Sequence, residues 1–217
     1  MWRDSLKIYD DNQGAPNPRR VRIFLAEKGI EVPYLQVPLS SGGHKAPEFL
    51  AKNPLGQLPM LELDDGTCIS ESVAICRYFE ELHPSPALFG VGPEARARIE
   101  MWQRRIELNL SSAVGQVWIH THPITAALFK RNPELGLEPQ PIWGEFNRRR
   151  ARAQMQFLNQ ALAEDEFVAG SEFSIADISA LCTLDFGRAL LDLPIPSQLE
   201  HLERWHQTVS SRPSAAA

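Results

Sequence analysis

The chain has 217 residues and a formal net charge of −5, with 43% hydrophobic and 23% charged residues. That is enough apolar material to bury the core of one large domain or two small ones, and it excludes pervasive disorder, collagen and a coiled-coil rod. Neither half is basic, so a duplex nucleic-acid or polybasic membrane role lacks its electrostatic footprint.

Cys68, Cys76 and Cys182 are the only cysteines and form no C-x-x-C, which argues against a disulfide-stapled fold and a protein-borne dithiol centre. The opening residues lack the apolar run of a signal peptide, and no window reaches the roughly 18–20 apolar residues of a membrane span. A cytoplasmic protein is expected.

Leu6-Lys7-Ile8-Tyr9 alternates and meets the turn cluster Asp11-Asn12-Gln13-Gly14, the pattern of a strand and its turn. Pro16 to Gly29 reads as a helix. Pro18 suits its first turn, Val21, Phe24 and Leu25 form an apolar stripe, and Gly29 stands at the C-terminal cap. Val32 to Leu39 is a second strand, broken by prolines and so expected at an edge. Ser40-Ser41-Gly42-Gly43 leads into a short helix near residues 47–52. Leu58 to Leu63 and Thr67 to Ile69 flank Asp64-Asp65-Gly66, the clearest hairpin signal in the chain. A helix then opens at Ser70-Glu71-Ser72, carries Val73, Ile75, Cys76, Tyr78, Phe79 and Leu82, and stops before Pro84. The expected order is β-α-β-α-β-β-α.

Residues 84–93 are rich in proline and glycine, and beyond them only helical patterns occur. Ile99, Trp102, Ile106, Leu110, Val114, Val117 and Trp118 recur at three or four residues, predicting one long amphipathic helix. A loop with Pro123, Pro133, Pro139 and Pro141 precedes a helix with Ala151, Met155, Leu158 and Leu162 on one face. Residues 178–184 carry no charge, so a third helix is expected to be buried on most sides. Leu199 to Val209 predicts the last. The expected organisation is an α/β domain over residues 1–84, a linker over 85–93 and an all-helical domain over 94–217.

Three places draw attention. A proline at position 59, where a strand should run, either starts an edge strand in trans or takes a cis bond that turns the Leu58 backbone N–H and C=O toward an extended ligand. Glu71-Ser72 is either ordinary capping, with Ser70 at the N-cap, or a hydroxyl and free N–H groups ready for a carboxylate. Ser174-Ile175-Ala176-Asp177 is a capping box before the buried helix, with a structural role.

These pieces, in this order, resemble the glutathione transferase family over nearly the whole chain. The matching segments are Asn17-Pro18-Arg19-Arg20-Val21-Arg22, Gly56-Gln57-Leu58-Pro59, Glu71-Ser72-Val73-Ala74-Ile75 and Ser174-Ile175-Ala176-Asp177. The resemblance implies a thioredoxin-like N-terminal domain followed by an all-helical one, and a cis bond before Pro59. It also implies glutathione as co-substrate, with its cysteinyl part on the Leu58 backbone and its γ-glutamyl end on Glu71 and Ser72. His44 and Lys45, after the second strand, are the candidates for its glycine carboxylate.

The family commonly places a Ser, Tyr or Cys at the start of the first helix to favour the thiolate of a thiol whose free pKa is about 8.5. Here that stretch reads Ala15-Pro16-Asn17-Pro18. The chain therefore resembles atypical members that lack the activating residue. Asn17 could donate its amide to sulfur, or merely cap the helix. His120 is a candidate water-holder or proton acceptor, against a plain helix-dipole role, and Trp118 either lines an acceptor pocket or continues the apolar stripe. Arg148, Arg149, Arg150 and Arg152 are expected on a solvated face or a subunit contact. His120 and His122 are poor joint metal ligands, so no metal is expected.

The implied reaction is attack of the glutathione thiolate on a small electrophile, within a detoxifying homodimer. Glutathione-dependent disulfide or peroxide reduction and a non-catalytic binding module are the alternatives.

Overall fold

A computed structural model of the chain describes residues 6–125, 129 and 138–217. Lys7–Asp10 forms β1, one of the two inner strands of a four-stranded sheet ordered β2-β1-β3-β4. β2 is Tyr34–Gln36, parallel to β1; β3 (Met60–Glu62) runs antiparallel to β1, and β4 (Cys68–Ser70) closes the hairpin with β3. The edge strand is shorter than the expected Val32 to Leu39, because Pro33 and Pro38 remove ladder donors on either side of it.

Helix α1, Pro16–Glu27, buries Val21, Ile23, Phe24 and Leu25. Lys28 caps it, and Gly29, at φ 62°, turns the chain out of the helix. A short α2, Pro47–Leu50, precedes β3, and α3, Ser72–Leu82, buries Ile75, Cys76 and Phe79. This is the thioredoxin-like order expected.

Register now fixes where ligands can reach. Tyr9 lies opposite Met60, and Met60 opposite Ser70. The loop leaving β1, the residues entering β3 and those leaving β4 therefore share one end of the sheet. β2 is parallel to β1, so its outgoing loop, toward His44 and Lys45, leaves at that end too.

The chain divides into two compact units, one running to Gly90 and including Arg212–Ala217, the other Val91–Ser211. Among its described residues, the second has helices and an isolated bridge between Phe167 and Gly170. The predicted long helix is interrupted. α4 (Gly92–Arg105) passes through a π-helical stretch, Ile106–Ser111, into α5 (Ser112–Thr121). There the Asn109 amide donates to the Arg105 carbonyl at 3.0 Å, competing with the backbone for that acceptor.

α6 (Pro141–Ala161) buries Ala151, Met155 and Leu158 as its periodicity predicts. α7 (Ile175–Leu191) is buried throughout residues 175–184, and α8 is Glu200–Ser210. The capping box is real: the Asp177 carboxylate accepts from Ser174 N–H at 3.0 Å and Ser174 Oγ at 2.9 Å. It also accepts from Val168 N–H and Trp205 Nε1, both at 2.8 Å. Its burial raises its pKa despite these four donors.

Two expectations change. Arg148 is not merely solvated; its Nη1 donates to the Leu191 carbonyl at 2.6 Å, closing the C-terminus of α7. And Arg212–Ala217, expected with the helical domain, belongs to the first unit. The Arg212 guanidinium grips both Glu27 oxygens (2.8 and 2.7 Å), Ser214 bonds Glu27 as well, and Arg19 donates to the Ala215 carbonyl at 3.0 Å.

Candidate functional site: one end of the sheet

The loop leaving β1 is held by two buried carboxylates. Asp10 takes Arg22 at 2.9 Å and the Gln36 amide at 3.0 Å. Asp11 accepts from Gln13 N–H (2.8 Å) and Leu39 N–H (2.6 Å), which ties the α1 approach to the segment after β2. α1 then begins with Ala15 at its N-cap and no side chain capping it. Pro16 and Pro18 have no amide hydrogen, so among the first three helical residues only Asn17 offers an N–H.

Asn17 is thus not the cap that sequence allowed. It sits exposed in the first turn, and its Oδ1 accepts from Arg20 Nη1 at 2.8 Å. With its oxygen so engaged, the amide nitrogen is the group left to donate. The same Arg20 Nη1 donates to Ser72 Oγ at 2.5 Å, and Arg20 is only 3% exposed. Sequence reasoning passed over Arg20. The available signal was its place one turn before Phe24, on the face that α1 buries.

At α3 the structure replaces the expected Ser70 cap. Glu71 occupies the N-cap with φ 68° and ψ 114°, and buried Ser72 is the first helical residue. A non-glycine residue at positive φ is held there at a cost of about 1–3 kcal/mol, and such outliers cluster where ligands are clamped.

The Leu58–Pro59 bond is cis, as expected. Neither the Leu58 N–H nor its C=O has a backbone partner among the described residues. The turn before it is fixed by Asn53, whose amide donates to the Gln57 carbonyl at 2.8 Å and whose carbonyl accepts from Gly56 N–H at 2.8 Å. Gly56, at φ 58°, has no room for a side chain: a Cβ would lie 2.7 Å from the His44 carbonyl oxygen and 2.8 Å from Lys45 Nζ. His44 is buried and Lys45 exposed, with its ammonium on the Leu55 carbonyl at 2.9 Å. The 43–45 turn is therefore packed against the strand entry that carries Leu58.

Tyr9 is occupied elsewhere. Its hydroxyl donates to Glu62 at 2.6 Å and accepts from Lys52 at 2.9 Å. Burial works against Glu62 ionising, but hydrogen bonds from Lys52 and Tyr9 outweigh it and hold its pKa below the usual value; the bonds Lys52 donates to Glu62 and Tyr9 raise that of Lys52. Cys68 lies on β4 and Cys76 inside α3, so neither is at the α1 N-terminus.

In the second unit, Trp118 is half-buried, edge-on to Phe186 with ring centroids 6.2 Å apart and stacked on His122 at 6.5 Å. His120 Nδ1 accepts from the Gln140 N–H at 3.0 Å, so the ring at the end of α5 caps the start of α6. That is a structural use of His120. Among the described residues, no group of three or more His, Cys, Asp or Glu is arranged to hold a metal, and no helix is long and apolar enough to cross a membrane.

Known proteins resemble the chain in family and fold. The family model for the glutathione S-transferase N-terminal domain matches residues 15–82, and that for the C-terminal domain residues 125–213. Glutathione S-transferase 2 of Saccharomyces cerevisiae is 39% identical over 214 residues, covering 98% of this chain and 88% of that one. Among solved structures, a glutathione S-transferase domain-containing protein of Marinobacter aquaeolei VT8 superposes with a TM-score of 0.86 at 42% identity, over 96% of this chain and 98% of its own. Gtt2 of Saccharomyces cerevisiae also gives 0.86, at 38% identity over 97% and 98%. The chain belongs to the glutathione S-transferase family.

Proposed function

We propose that this glutathione transferase seats the tripeptide along the shared sheet end of its first unit and joins the glutathione sulfur to a small electrophile. The observation that carries this reading is the open Leu58 backbone, entering β3 at the same sheet end as the N-termini of α1 and α3. Leu58 N–H and C=O pair with the cysteinyl part as one more strand would. Ser72 and the first-turn N–H groups of α3 hold the γ-glutamyl carboxylate, with Glu71 facing the amino group. Lys45 moves from the Leu55 carbonyl to the glycine carboxylate, beside His44.

The cysteinyl sulfur then lies at the start of α1. The helix dipole, the Asn17 N–H and the Asn17 amide favour the thiolate over the thiol, whose proton passes to solvent. The thiolate attacks an electrophilic carbon and a C–S bond forms. Either a leaving group departs with its electron pair, or an addition product takes a proton from water. His120, with Nδ1 holding Gln140, has only Nε2 left for a water, so Asn17 carries the thiolate role in this reading. Trp118 contributes to the acceptor surface. The same reading takes the protein as a cytoplasmic homodimer acting in detoxification, and sedimentation at twice the chain mass checks the dimer.

Ultraviolet titration of bound glutathione tests the core of the proposal. The wild-type complex is expected to titrate below the free thiol's value of about 8.5, and Asn17→Ala to shift that titration upward. Turnover of a chromogenic chloro-arene is expected to fall with it. An unchanged titration removes Asn17 from the mechanism. Ser72→Ala is expected to raise KM for glutathione more than it lowers kcat.

A further inference from the structure

Asp11 is 3% exposed, and among the described residues no cation pairs with its carboxylate. The neighbouring Arg22 pairs with Asp10 and reaches Asp11 only at its backbone carbonyl, at 3.2 Å. The Asp11 side chain answers two backbone N–H groups from separate segments instead. Oδ1 accepts from Gln13 at 2.8 Å, and Oδ2 from Leu39 at 2.6 Å. Burying a carboxylate away from any cation is unfavourable, and a neutral Asn closes a turn of the Gln13 kind equally well. What only a carboxylate does is accept on both oxygens, since an amide puts a donor where one of them stood.

The two segments lead to opposite ends of the ligand. On one side, only Gly14 and Ala15 stand between Gln13 and the first residue of α1, whose N-cap makes no side-chain bond. On the other side, Leu39 opens a run of linked turns. Gly42 N–H bonds the Leu39 carbonyl at 3.1 Å, Lys45 N–H the Gly42 carbonyl at 2.9 Å, and Ala46 N–H the Gly43 carbonyl at 3.1 Å. The run is tightly seated, for a Cβ on Gly43 would press on Val37 at 3.2 Å. Lys45 is thus tied to Leu39 through two hydrogen bonds, and Leu39 to Asp11 through one.

We propose that Asp11 is a positioning residue that couples the glycine end of glutathione to its sulfur. The inference rests on the glutathione reading above. When Lys45 leaves the Leu55 carbonyl for the glycine carboxylate, the segment 39–45 settles on the ligand. Leu39 N–H transmits that to Asp11 Oδ2, while Oδ1 holds Gln13 so that the entry to α1 presents the Asn17 N–H groups to the sulfur. The thiolate is therefore favoured most when the carboxylate at the far end of the tripeptide is held. Such coupling is reciprocal, so ionising the sulfur tightens the hold on the glycine end by the same factor.

The test is ultraviolet titration of two ligands bound to the full chain, each referred to its own free thiol. One is glutathione; the other is an analogue with hydrogen in place of the glycine carboxylate. In wild type the bound analogue is expected to show a thiolate-to-thiol ratio about fivefold lower than bound glutathione. Two variants open the same latch from opposite ends. Asp11→Asn turns an amide nitrogen toward one of the two N–H groups. Leu39→Pro removes the other partner's donor: Leu39 is the first residue of its turn, and Pro38, at φ −59° and ψ 122°, already has the extended conformation that precedes a proline. In each variant the glutathione ratio is expected to fall to the analogue's level, and the double variant to add nothing further.

If Asp11 only braced its loop, both variants would lower the Tm and weaken both ligands alike, and the gap between the two ratios would persist; that result overturns the proposal. So does a wild type that binds and ionises glutathione and the analogue to the same degree, a comparison that needs no variant. A wild-type protein that binds no glutathione overturns the site reading itself, and this inference with it.

Discussion

Tyr9 and Asn17 flank the same loop, and their hydrogen bonds decide between them. A phenol on the first strand is a chemically plausible thiolate donor, but the Tyr9 hydroxyl already gives its proton to Glu62 and receives one from Lys52. Moving it to a sulfur would leave both partners short of a bond. Tyr9→Phe is therefore expected to leave kcat/KM for glutathione within about twofold while costing roughly 1 kcal/mol of stability, read by urea denaturation alongside steady-state kinetics. A tenfold loss of kcat with unchanged stability would return the phenol to the mechanism. Asn17 has its oxygen fixed and its nitrogen free to donate, which is the polarity a thiolate requires.

At the scale of elements, helix and strand identities were legible because hydrophobic period and turn residues coincide: Asp64-Asp65-Gly66 between two short strands, or Val21, Phe24 and Leu25 along α1. The π-helical stretch was not, since Asn109, whose amide bonds the Arg105 carbonyl inside it, reads in sequence like any polar helical residue. The caps of α1 and α3 stayed open between two readings for a related reason. Sequence assigns a cap to the nearest Ser or Asn, whereas here Ala15 and a strained Glu71 stand at those positions and free Asn17 and Ser72 for other contacts. Arg20 escaped notice because its meaning lies in a bond to a residue on another helix. A close helix pairing in the second unit is equally invisible in sequence. A Cβ on Gly144 of α6 would collide with Thr121 Cγ2 and lie 3.4 Å from His120 Cβ, and Thr121 is pinned by its hydroxyl on the Val117 carbonyl at 2.8 Å. Gly144→Ala is expected to cost about 1–3 kcal/mol despite its better helix propensity. A denaturation midpoint at or above the wild-type value would show that α5 and α6 separate more easily than their packing indicates.

At the scale of the molecule, the clasp between Glu27 and Arg212 makes stability depend on acidity in a defined direction. Burial opposes ionisation of Glu27, but hydrogen bonds from Arg212 and Ser214, with the Arg212 charge, prevail and lower its pKa from the ordinary 4.5. A carboxyl whose folded pKa is depressed binds protons more weakly folded than unfolded. Its contribution is complete above the unfolded value of about 4.5 and is lost as pH falls from there through the folded value. Below pH ~4.5 the Tm of wild type should therefore fall more steeply than that of Glu27→Gln, which has no proton to take up. Parallel curves would assign the acid sensitivity to other carboxylates.

That clasp also sets an order of events during synthesis. Glu27 and Arg212 are 185 positions apart, and everything between Val91 and Ser211 belongs to the other unit. Chains emerge from the ribosome N-terminus first and fold domain by domain. The strands that would bind glutathione are made early, yet α1 gains the partner of its Glu27 only after the whole helical unit has been translated. The first unit to appear is thus the last to be completed.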